Sequence, residues 1–343
     1  MSVGFNSMAK IEVVYIEREL RDHPRVSEIL ARVRPKHVVQ CEHYGEIFNR
    51  KRQDFREQKR APALILATKS GNRVLKAPEG YGIGGKNNYY FSHMLNCVFD
   101  CRYCFLQGMY PSAHYVLFLN YEDFMTDIES TIQSHPSEEK VYFYSGYDCD
   151  SLALERYSEF VTHYLPHFRR WPQAMVELRT KSVNIKPLLE LEAMPNVIVA
   201  WSLTPEKIAQ VIEDKTPSVS RRIEAARELQ ERGWQVGLRF DPLIVTKDWR
   251  HEYEELLNLC SDALDIENLH SVSFGPMRFP NEMYKKILKL YPDERLFAAP
   301  LVQIGRLTSY PRAIEEEMSE FVGGELLQRF GRDKLFQCIP EGW

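Results

Sequence analysis

The 343-residue chain lacks several features that would place it in a protein class at once. It contains no run of about 18 consecutive apolar residues, the length that a membrane-spanning helix needs. Its first dozen residues have no apolar core of the kind found in a signal peptide. No repeat, low-complexity tract or strong excess of one charge is present, with 44 Lys and Arg against 48 Asp and Glu. These absences exclude collagen, a coiled coil and full-length disorder, and they predict a globular cytoplasmic protein with no membrane partner.

The chain does contain an odd number of cysteines. The seven are Cys41, Cys97, Cys101, Cys104, Cys149, Cys260 and Cys338. An odd count in a cytosolic chain disfavours a disulfide framework, so a different use of the thiols is expected.

Strand-like and helix-like segments alternate through the middle of the chain. Strands are predicted at residues 89–91, 141–144, 175–178, 197–202, 236–240 and 270–274. Helices are predicted between them at residues 121–132, 156–165, 185–192, 218–232 and 249–263. About six β/α units in order indicate a parallel sheet, either doubly wound or curved into a barrel, and they are too few for a closed eight-stranded barrel. Functional residues of such folds gather after the carboxyl ends of the strands.

Three of the cysteines form a cluster, Cys97-Val-Phe-Asp-Cys101-Arg-Tyr-Cys104, after the first of these strands. This spacing places three thiolates on one short curved segment, which suits three corners of a cubane iron–sulfur cluster. The fourth iron then keeps an open position for a substrate or cofactor. A zinc site is the main alternative, but zinc generally needs a fourth Cys or His, and only His93 is close in sequence. Three unrelated buried cysteines are the remaining alternative.

The spacing, with Tyr103 before the last cysteine, resembles the signature of the radical S-adenosyl-L-methionine (SAM) superfamily. The resemblance implies a 4Fe-4S cluster whose open iron is chelated by SAM, carried on a partial (β/α)6 barrel. It also implies that SAM is cleaved to a 5'-deoxyadenosyl radical, which abstracts a substrate hydrogen. We therefore expect an α/β protein with an α-rich N-terminal extension (1–88), the partial barrel (89–280) and a C-terminal α/β region (281–343).

Longer segments narrow the resemblance to the spore photoproduct lyase family. They are Thr68-Lys-Ser-Gly-Asn-Arg-Val-Leu-Lys76, Pro78, Tyr81, the cysteine loop as far as Gln107, Ser145-Gly-Tyr-Asp-Cys149-Asp-Ser151, Glu177-Leu-Arg-Thr-Lys181, Val199-Ala-Trp-Ser202 and Arg278-Phe279. This resemblance implies a DNA repair lyase that reverts the UV lesion 5-thyminyl-5,6-dihydrothymine to two thymines. It implies UV-damaged DNA as a partner, and a reducing electron donor such as flavodoxin or ferredoxin.

The family resemblance assigns roles to individual residues. Cys149 would donate the hydrogen atom that quenches the thymine radical, a role that suits the weak S–H bond of a thiol; the alternative is a small buried hydrophobe. SAM contacts are assigned to Ser145, Gly146, Ser151, Lys181 and Ser202. Lys181 also has a physical reason, because a buried carboxylate needs a cation or several donors, although it could be a surface lysine that ends a strand.

The sequence departs from the family directly after the third cysteine. Phe105 stands where the family has a tyrosine thought to pass a hydrogen atom between the thiol and SAM. Phenylalanine has no O–H group, so Tyr103 or Tyr147 would have to take over this role; otherwise each turnover would consume one SAM.

A second departure lies in the C-terminal region. The family carries an Arg-Tyr pair on a hairpin that wedges into DNA, and the corresponding residues here are Arg306 and Leu307. Leucine can still serve as an apolar wedge between bases, and Arg306 is otherwise a surface cation. Arg278 is a further predicted substrate contact. Residues 50–60 hold six cations, which indicate either a solvated helix face or a surface that contacts phosphate.

These departures weaken the assignment of the lesion more than the assignment of radical SAM chemistry. The alternative function is a radical SAM enzyme of the same lineage that acts on a different nucleic-acid lesion or nucleotide. A non-enzymatic nucleic-acid-binding or electron-carrying protein is a third class, but simple electron transfer favours four cysteine ligands.

Overall fold

The computed structural model describes residues 10–78 and 80–338. Its strands are β1 (Val13–Glu17), β2 (His37–Cys41), β3 (Leu64–Ala67), β4 (Val74–Lys76), β5 (Asn87–Phe91), β6 (Met94–Leu95), β7 (Asp100–Cys101), β8 (Tyr115–Phe118), β9 (Val141–Ser145), β10 (Ala174–Thr180), β11 (Val197–Ser202), β12 (Glu213–Asp214), β13 (Gln235–Leu243), β14 (Leu269–Pro276), β15 (Arg278–Pro280), β16 (Val302–Ile304), β17 (Leu307–Ser309) and β18 (Leu335–Gln337).

Its helices are α1 (Pro24–Val33), α2 (Gly45–Phe48), α3 (Phe55–Arg60), α4 (Leu106–Met109), α5 (Tyr121–Gln133), α6 (Glu155–Ser158), α7 (Phe160–Phe168), α8 (Lys186–Leu189), α9 (Glu206–Ile212), α10 (Val219–Glu231), α11 (Trp249–Ala263), α12 (Asn281–Leu290) and α13 (Arg312–Phe330). Single 3-10 turns lie at Arg18–Leu20 and Arg295–Ala298. Among the described residues, no helix is both long and apolar enough to cross a bilayer.

The main sheet has eight strands in the order β18-β14-β13-β11-β10-β9-β5-β4. The six predicted strands are confirmed as β5, β9, β10, β11, β13 and β14, and each pairs in parallel with its neighbour. They are readable from sequence because a parallel strand covered on both faces is an almost continuous apolar run; all six residues of β11 are buried. Strand β18 extends the sheet in parallel at one edge, and β4 pairs antiparallel at the other.

The sheet curves into an open barrel, which resolves the choice that the sequence left open. A Cβ added to Gly84, in the loop between β4 and β5, would lie 2.5 Å from the ring of Phe336 in β18. The loop that joins the two strands at one edge of the sheet therefore contacts the strand at the other edge, although β18 and β4 are not hydrogen-bonded neighbours. The predicted partial (β/α)6 barrel is confirmed, and the carboxyl ends of its strands surround one opening.

The N-terminal region is less helical than its sequence suggested. Helices α1 and α3 are present, but β1, β2 and β3 also form a second sheet with β8 and β6, in the order β2-β1-β3-β8-β6. Four of the five residues of β2 are exposed, so this edge strand has no apolar alternation to reveal it. The expected α-rich extension is therefore a mixed α/β layer that packs against the barrel.

The C-terminal region supplies a small antiparallel sheet in the order β15-β17-β16. Strands β16 and β17 form a hairpin whose turn holds Gly305, with φ of 57°, and Arg306. Strand β15 follows the last barrel strand almost directly and pairs with β17. The hairpin is thereby fixed beside the barrel opening.

Candidate active site

A cavity of about 430 Å³ opens at the carboxyl ends of the barrel strands. Many of the residues predicted from sequence line it: Cys97, Cys101, Tyr103, Cys104, Gly146, Tyr147, Cys149, Lys181, Ser202, Arg278 and Leu307. Ser145 and Ser151 lie just behind this wall, where the Ser151 hydroxyl donates to Ser145 Oγ at 3.2 Å. Arg306 is exposed at the hairpin turn and is not part of the lining.

The cysteine loop is held by a segment far away in sequence. Its two-residue strand β7 pairs antiparallel with β12, so Cys101 lies opposite Glu213. The backbone N–H of Arg102 donates to the carbonyl of Ile212 at 2.8 Å, and its guanidinium pairs with Asp214 at 2.6 Å. These bonds fix the curve of the loop and therefore the relative positions of its thiols.

Lys59 braces the same loop from the other side. Its ammonium is buried and donates to the carbonyl oxygens of Cys97 and Phe99, both at 2.9 Å. Lys59 belongs to the basic run 50–60, for which the sequence suggested a solvated face or a phosphate contact. For Lys59 neither interpretation holds, because its charge is used inside the protein to orient the loop. No local sequence signal could have revealed this contact.

The spacing of the thiols favours an iron–sulfur cluster over zinc. Among the described residues, only Glu28, Glu159 and His163 bring three ligand atoms within 4.8 Å of one another, so the three cysteine sulfurs do not. Sulfurs bound to one tetrahedral zinc lie about 3.8 Å apart, given a Zn–S bond of about 2.3 Å. A cluster of four irons spreads its thiolates further apart, so this arrangement fits a cluster better than zinc.

The environment of the cysteines and of His93 also agrees with an iron–sulfur cluster rather than a zinc ion. Burial raises the pKa of Cys97 to about 12, so the thiols need the positive charge of bound metal to ionise. His93 is buried, stacks on Phe160 with ring centroids 3.8 Å apart, and is not part of the cavity wall. It therefore does not supply a fourth ligand.

The hydroxyl of Tyr103 is engaged by a buried ion pair. Its hydroxyl donates to Glu213, whose other carboxylate oxygen pairs with Arg222 at 2.5 Å. Arg222 also donates to the carbonyl of Ser202 at 3.2 Å. This network joins the cysteine loop to the end of β11, and it occupies the O–H group of Tyr103.

Three of the predicted SAM residues, Gly146, Lys181 and Ser202, line the same cavity as the cysteines. The ammonium of Lys181 lies 5.3 Å from the ring centre of Tyr103 and makes no hydrogen bond to another described residue. Burial lowers the pKa of Lys181, but Cys101 and Glu213 more than compensate and raise it. The charged ammonium is therefore available to a carboxylate in the cavity, as the prediction requires.

Gly146 and Asp150 fix the conformation of the loop that follows β9. Gly146 has φ of 89°, and a Cβ there would lie 2.6 Å from Ser151 Oγ, so only glycine fits. The buried carboxylate of Asp150 accepts from Thr180 Oγ1 and from the backbone N–H of Lys181, both at 2.7 Å. Asp150 thus ties this loop to the end of β10, a role that sequence analysis did not identify.

Cys149 lies on the same loop with 6% of its surface exposed. Burial raises its pKa well above the ordinary value, and the neighbouring Cys97 and Asp148 act in the same direction. The side chain is therefore a thiol rather than a thiolate, which is the form that can give up a hydrogen atom.

Tyr147 lies beside Phe105, the residue that stands where the family has a tyrosine. Its ring stacks on Tyr90 at 4.5 Å, meets Tyr81 edge-on at 5.7 Å, and contacts Phe105. Burial raises its pKa to about 12, so the phenol keeps its proton. Of the two tyrosines suggested by sequence, Tyr147 has the hydroxyl without a hydrogen-bond partner among the described residues.

The hairpin side of the cavity holds Arg278 and Leu307. Pro280 of β15 lies opposite Leu307 of β17, so both residues belong to the same small sheet. Asn281 secures the turn by donating to the Gly305 carbonyl at 3.0 Å and accepting from Thr308 Oγ1 at 2.9 Å. Leu307 therefore faces the cavity while Arg306 projects outside.

The sequence of this chain is similar to known proteins along most of the barrel. A family model described as spore photoproduct lyase matches residues 85–300. The spore photoproduct lyase of Clostridium acetobutylicum is 26% identical over 210 residues, which cover 61% of this chain and 62% of that protein. The corresponding protein of Bacillus subtilis is 22% identical over 203 residues, 58% of this chain and 59% of that protein. The aligned segment thus spans about three fifths of the length of these curated relatives.

Solved structures share the fold over nearly the whole chain. A spore photoproduct lyase complexed with dinucleoside spore photoproduct has a TM-score of 0.81 at 16% identity, covering 97% of this chain and 99% of that one. A variant with bound AdoMet and dinucleoside spore photoproduct has a TM-score of 0.80 at 16% identity, covering 97% and 100%. The likeness establishes the fold, and the family model matches well over half of the residues. This chain belongs to the spore photoproduct lyase family.

Proposed function

We propose that this protein is a radical SAM DNA repair lyase that reverts 5-thyminyl-5,6-dihydrothymine to two thymines. The observation that carries the proposal is that one cavity contains the cluster cysteines, the protonated thiol of Cys149 and the hairpin residue Leu307. A hydrogen donor next to an iron–sulfur site, beside an element suited to separating bases, matches the needs of this repair reaction. Relatives that bear the name spore photoproduct lyase support the same activity.

The two cofactors would be a 4Fe-4S cluster and SAM. Cys97, Cys101 and Cys104 would hold the cluster, while Lys181 would bind the carboxylate of SAM, with Gly146 and Ser202 beside it. Once bound, these groups supply an electron and a means of removing the hydrogen atom from C6 of the lesion. The solved relative with bound AdoMet supports this assignment.

The chain itself would complete the reaction through Cys149. After the bridge between the two thymines breaks, the Cys149 thiol would transfer its hydrogen atom to the thymine radical, leaving a sulfur radical. The phenol of Tyr147 would then return a hydrogen atom to this sulfur, and the resulting phenoxyl radical would recover a hydrogen atom from 5'-deoxyadenosine. The free hydroxyl of Tyr147 supports this role, whereas the bond from Tyr103 to Glu213 argues against Tyr103 as the donor.

UV-damaged DNA would approach from the hairpin side. Arg278 and Leu307 would face the extruded lesion, and the exposed Arg306 would contact the flanking backbone. The electron would come from a small reductant such as flavodoxin or ferredoxin. A cytosolic location agrees with the absence of any disulfide among the described residues.

A second candidate is a radical SAM enzyme of the same lineage with another nucleic-acid lesion or nucleotide as its substrate. Phe105 and Leu307 are the observations that favour it, because both depart from the family in the regions that handle hydrogen transfer and DNA.

The deciding experiment uses anaerobically reconstituted, reduced protein with a synthetic dinucleotide that carries the lesion. Formation of the intact thymine dinucleotide supports the proposal. Cleavage of SAM with the dinucleotide unchanged would favour the second candidate instead. Cys149→Ala should still cleave SAM but divert the product radical to side products, and clean thymine formation by this variant would remove the role assigned to Cys149.

A further inference from the structure

The inward-facing residues of β10 change from apolar to charged toward the cavity. Met175, Glu177 and Arg179 alternate along the strand, and Lys181 follows its end. Lys181 faces the cysteine loop, as described above. Arg179 also lines the cavity, and it is not among the residues that would hold the cluster or SAM.

Arg179 is anchored through only one of its three nitrogens. Its Nε donates to Glu177 at 3.0 Å, and its guanidinium covers the ring of Tyr81 at 5.1 Å. Glu177 has a second partner, because Arg239 pairs with it at 2.7 Å. Within the described part of the chain, the two terminal nitrogens of Arg179 have no hydrogen-bond acceptor. They are oriented donors that remain available at the cavity wall.

Arg278 approaches the same place from the start of β15. One of its terminal nitrogens donates to the carbonyl of Cys338 at 2.5 Å. The Cys338 thiol lies close enough to both arginines for their charges to lower its pKa, although burial dominates and raises that pKa to about 12. Arg179, Arg278 and Cys338 all line this cavity, and the two guanidinium groups lie near the same thiol.

We propose that Arg179 and Arg278 form an anion clamp that binds the phosphodiester joining the two nucleosides of the lesion. This inference rests on the proposed function. Guanidinium groups bind the paired oxygens of a phosphodiester through parallel hydrogen bonds, and two of them reach both non-bridging oxygens. The carboxylate of Asp241 also lies near Arg179 without an ion pair within 4.0 Å, and Glu315 lies near Arg278. These acids limit the local positive charge, which suits a singly charged phosphodiester better than a doubly charged phosphomonoester.

The test compares two synthetic lesions that differ only in the bridging phosphate, a dinucleotide and a phosphate-free dinucleoside. Binding of each is measured by calorimetry on the reconstituted protein, and repair of each is measured as kcat/KM. For the unmodified protein we expect the dinucleotide to be preferred. In Arg179→Gln, the ratio of the two affinities should fall by about 10- to 100-fold, since a hydrogen bond to a charged group is lost inside a cavity. Arg179→Lys keeps the positive charge but not the planar pair of N–H donors, so it should give an intermediate ratio of affinities.

The control is Arg312→Gln, an exposed arginine paired with Glu316 on α13, which should leave the ratio unchanged. If Arg179→Gln fails to fold, Arg278→Gln and Arg179→Lys provide the same comparison. Equal losses for both lesions would mean that the arginines contact bases or sugars, and would overturn the phosphate assignment. Weaker SAM binding with an unchanged ratio would also overturn it, because the clamp would then serve the cofactor carboxylate. If the unmodified protein repairs neither lesion, the proposed function fails rather than the clamp alone.

Discussion

The ring of Tyr147 lies against the ring of Phe105, with centroids 5.7 Å apart. A phenol from the loop that carries Cys149 thus lies beside the position where Phe105 lacks one. Because Tyr147 and Cys149 are two residues apart, donor and acceptor of the hydrogen atom would move together as one unit.

Replacing Tyr147 by Phe should uncouple repair from recycling of SAM. The variant should still repair the dinucleotide, but it should release 5'-deoxyadenosine in amounts at least equal to the lesions repaired, whereas the unmodified protein should release much less. Both products are measured by chromatography of the same reaction. Tyr90→Phe is the matched control, since Tyr90 stacks on Tyr147 at 4.5 Å and does not line the cavity. Adding Phe105→Tyr to the Tyr147→Phe variant should restore recycling. An unchanged product ratio in Tyr147→Phe would exclude it as the relay.

Removing the ammonium of Lys59 should loosen the cysteine loop. Lys59→Met leaves two buried carbonyl oxygens, those of Cys97 and Phe99, without their donor. We expect a loss of about 1.5–3 kcal/mol in the free energy of unfolding, measured by urea titration, and less iron retained after reconstitution. Arg60→Met removes the adjacent exposed cation, which pairs with Glu57 at 3.0 Å, and should cost about 0.5 kcal/mol or less. Equal effects in the two variants would contradict the role of Lys59.

The three cluster cysteines should be indispensable for iron. Ala at position 97, 101 or 104 should abolish both bound iron and SAM cleavage in reduced protein. Iron is determined by colorimetric assay together with the visible absorption of the cluster. Cys41→Ala, a buried cysteine of the N-terminal sheet that does not line the cavity, should retain both properties. Full iron content in any one of the three variants would refute the ligand assignment.

Glu177 should make the protein sensitive to acid. Burial would raise its pKa, but Arg239 and Arg179 lower it from 4.5 to about 2. The folded state therefore holds this carboxylate ionised more firmly than the unfolded chain does. Its contribution, on the order of 3 kcal/mol, is present above about pH 4.5 and is lost as the pH falls toward 2.

Glu177→Gln should remove this dependence. At pH 7 we expect a loss of about 3–5 kcal/mol in the free energy of unfolding, because Arg239 stays buried without its carboxylate. Between pH 5 and pH 3 the variant should lose less stability than the unmodified protein, as measured by urea titration at each pH. Glu192→Gln alters an exposed pair with Arg169 and should follow the unmodified curve. If the free energy of unfolding falls equally with pH in Glu177→Gln and in the unmodified protein, Glu177 is not the source of the acid sensitivity.

The hairpin should contribute to DNA binding in two different ways. Arg306→Ala should weaken binding to undamaged and damaged duplexes alike and lower the slope of log affinity against log salt by about 1. Leu307→Ala should instead reduce the preference for damaged over undamaged duplex, since the wedge stabilises only the extruded lesion. Both are measured by fluorescence anisotropy at several salt concentrations, with Arg312→Ala as the control. If Arg306→Ala and Arg312→Ala show the same affinity and salt dependence, DNA does not contact the turn of this hairpin.

The sequence predicted those parts of the molecule that depend on local patterns. Most of the six parallel strands are readable because they are largely apolar between polar turns, and the cysteine spacing is contained within eight residues. The contacts of Lys59 and Glu213 with the cysteine loop were missed because they join residues 38 or more positions apart. Strand β2 was missed because its side chains are mostly exposed, so only pairing with β1 defines it.

The bracing of the cysteine loop has a consequence for protein engineering. The eight residues from Cys97 to Cys104 do not carry the geometry of the thiols by themselves, because β12 and Lys59 supply much of it. Grafting this octapeptide onto another barrel would transfer three sulfur atoms without their arrangement. A successful transplant would have to include matched pieces of the N-terminal layer and of the connection after β11.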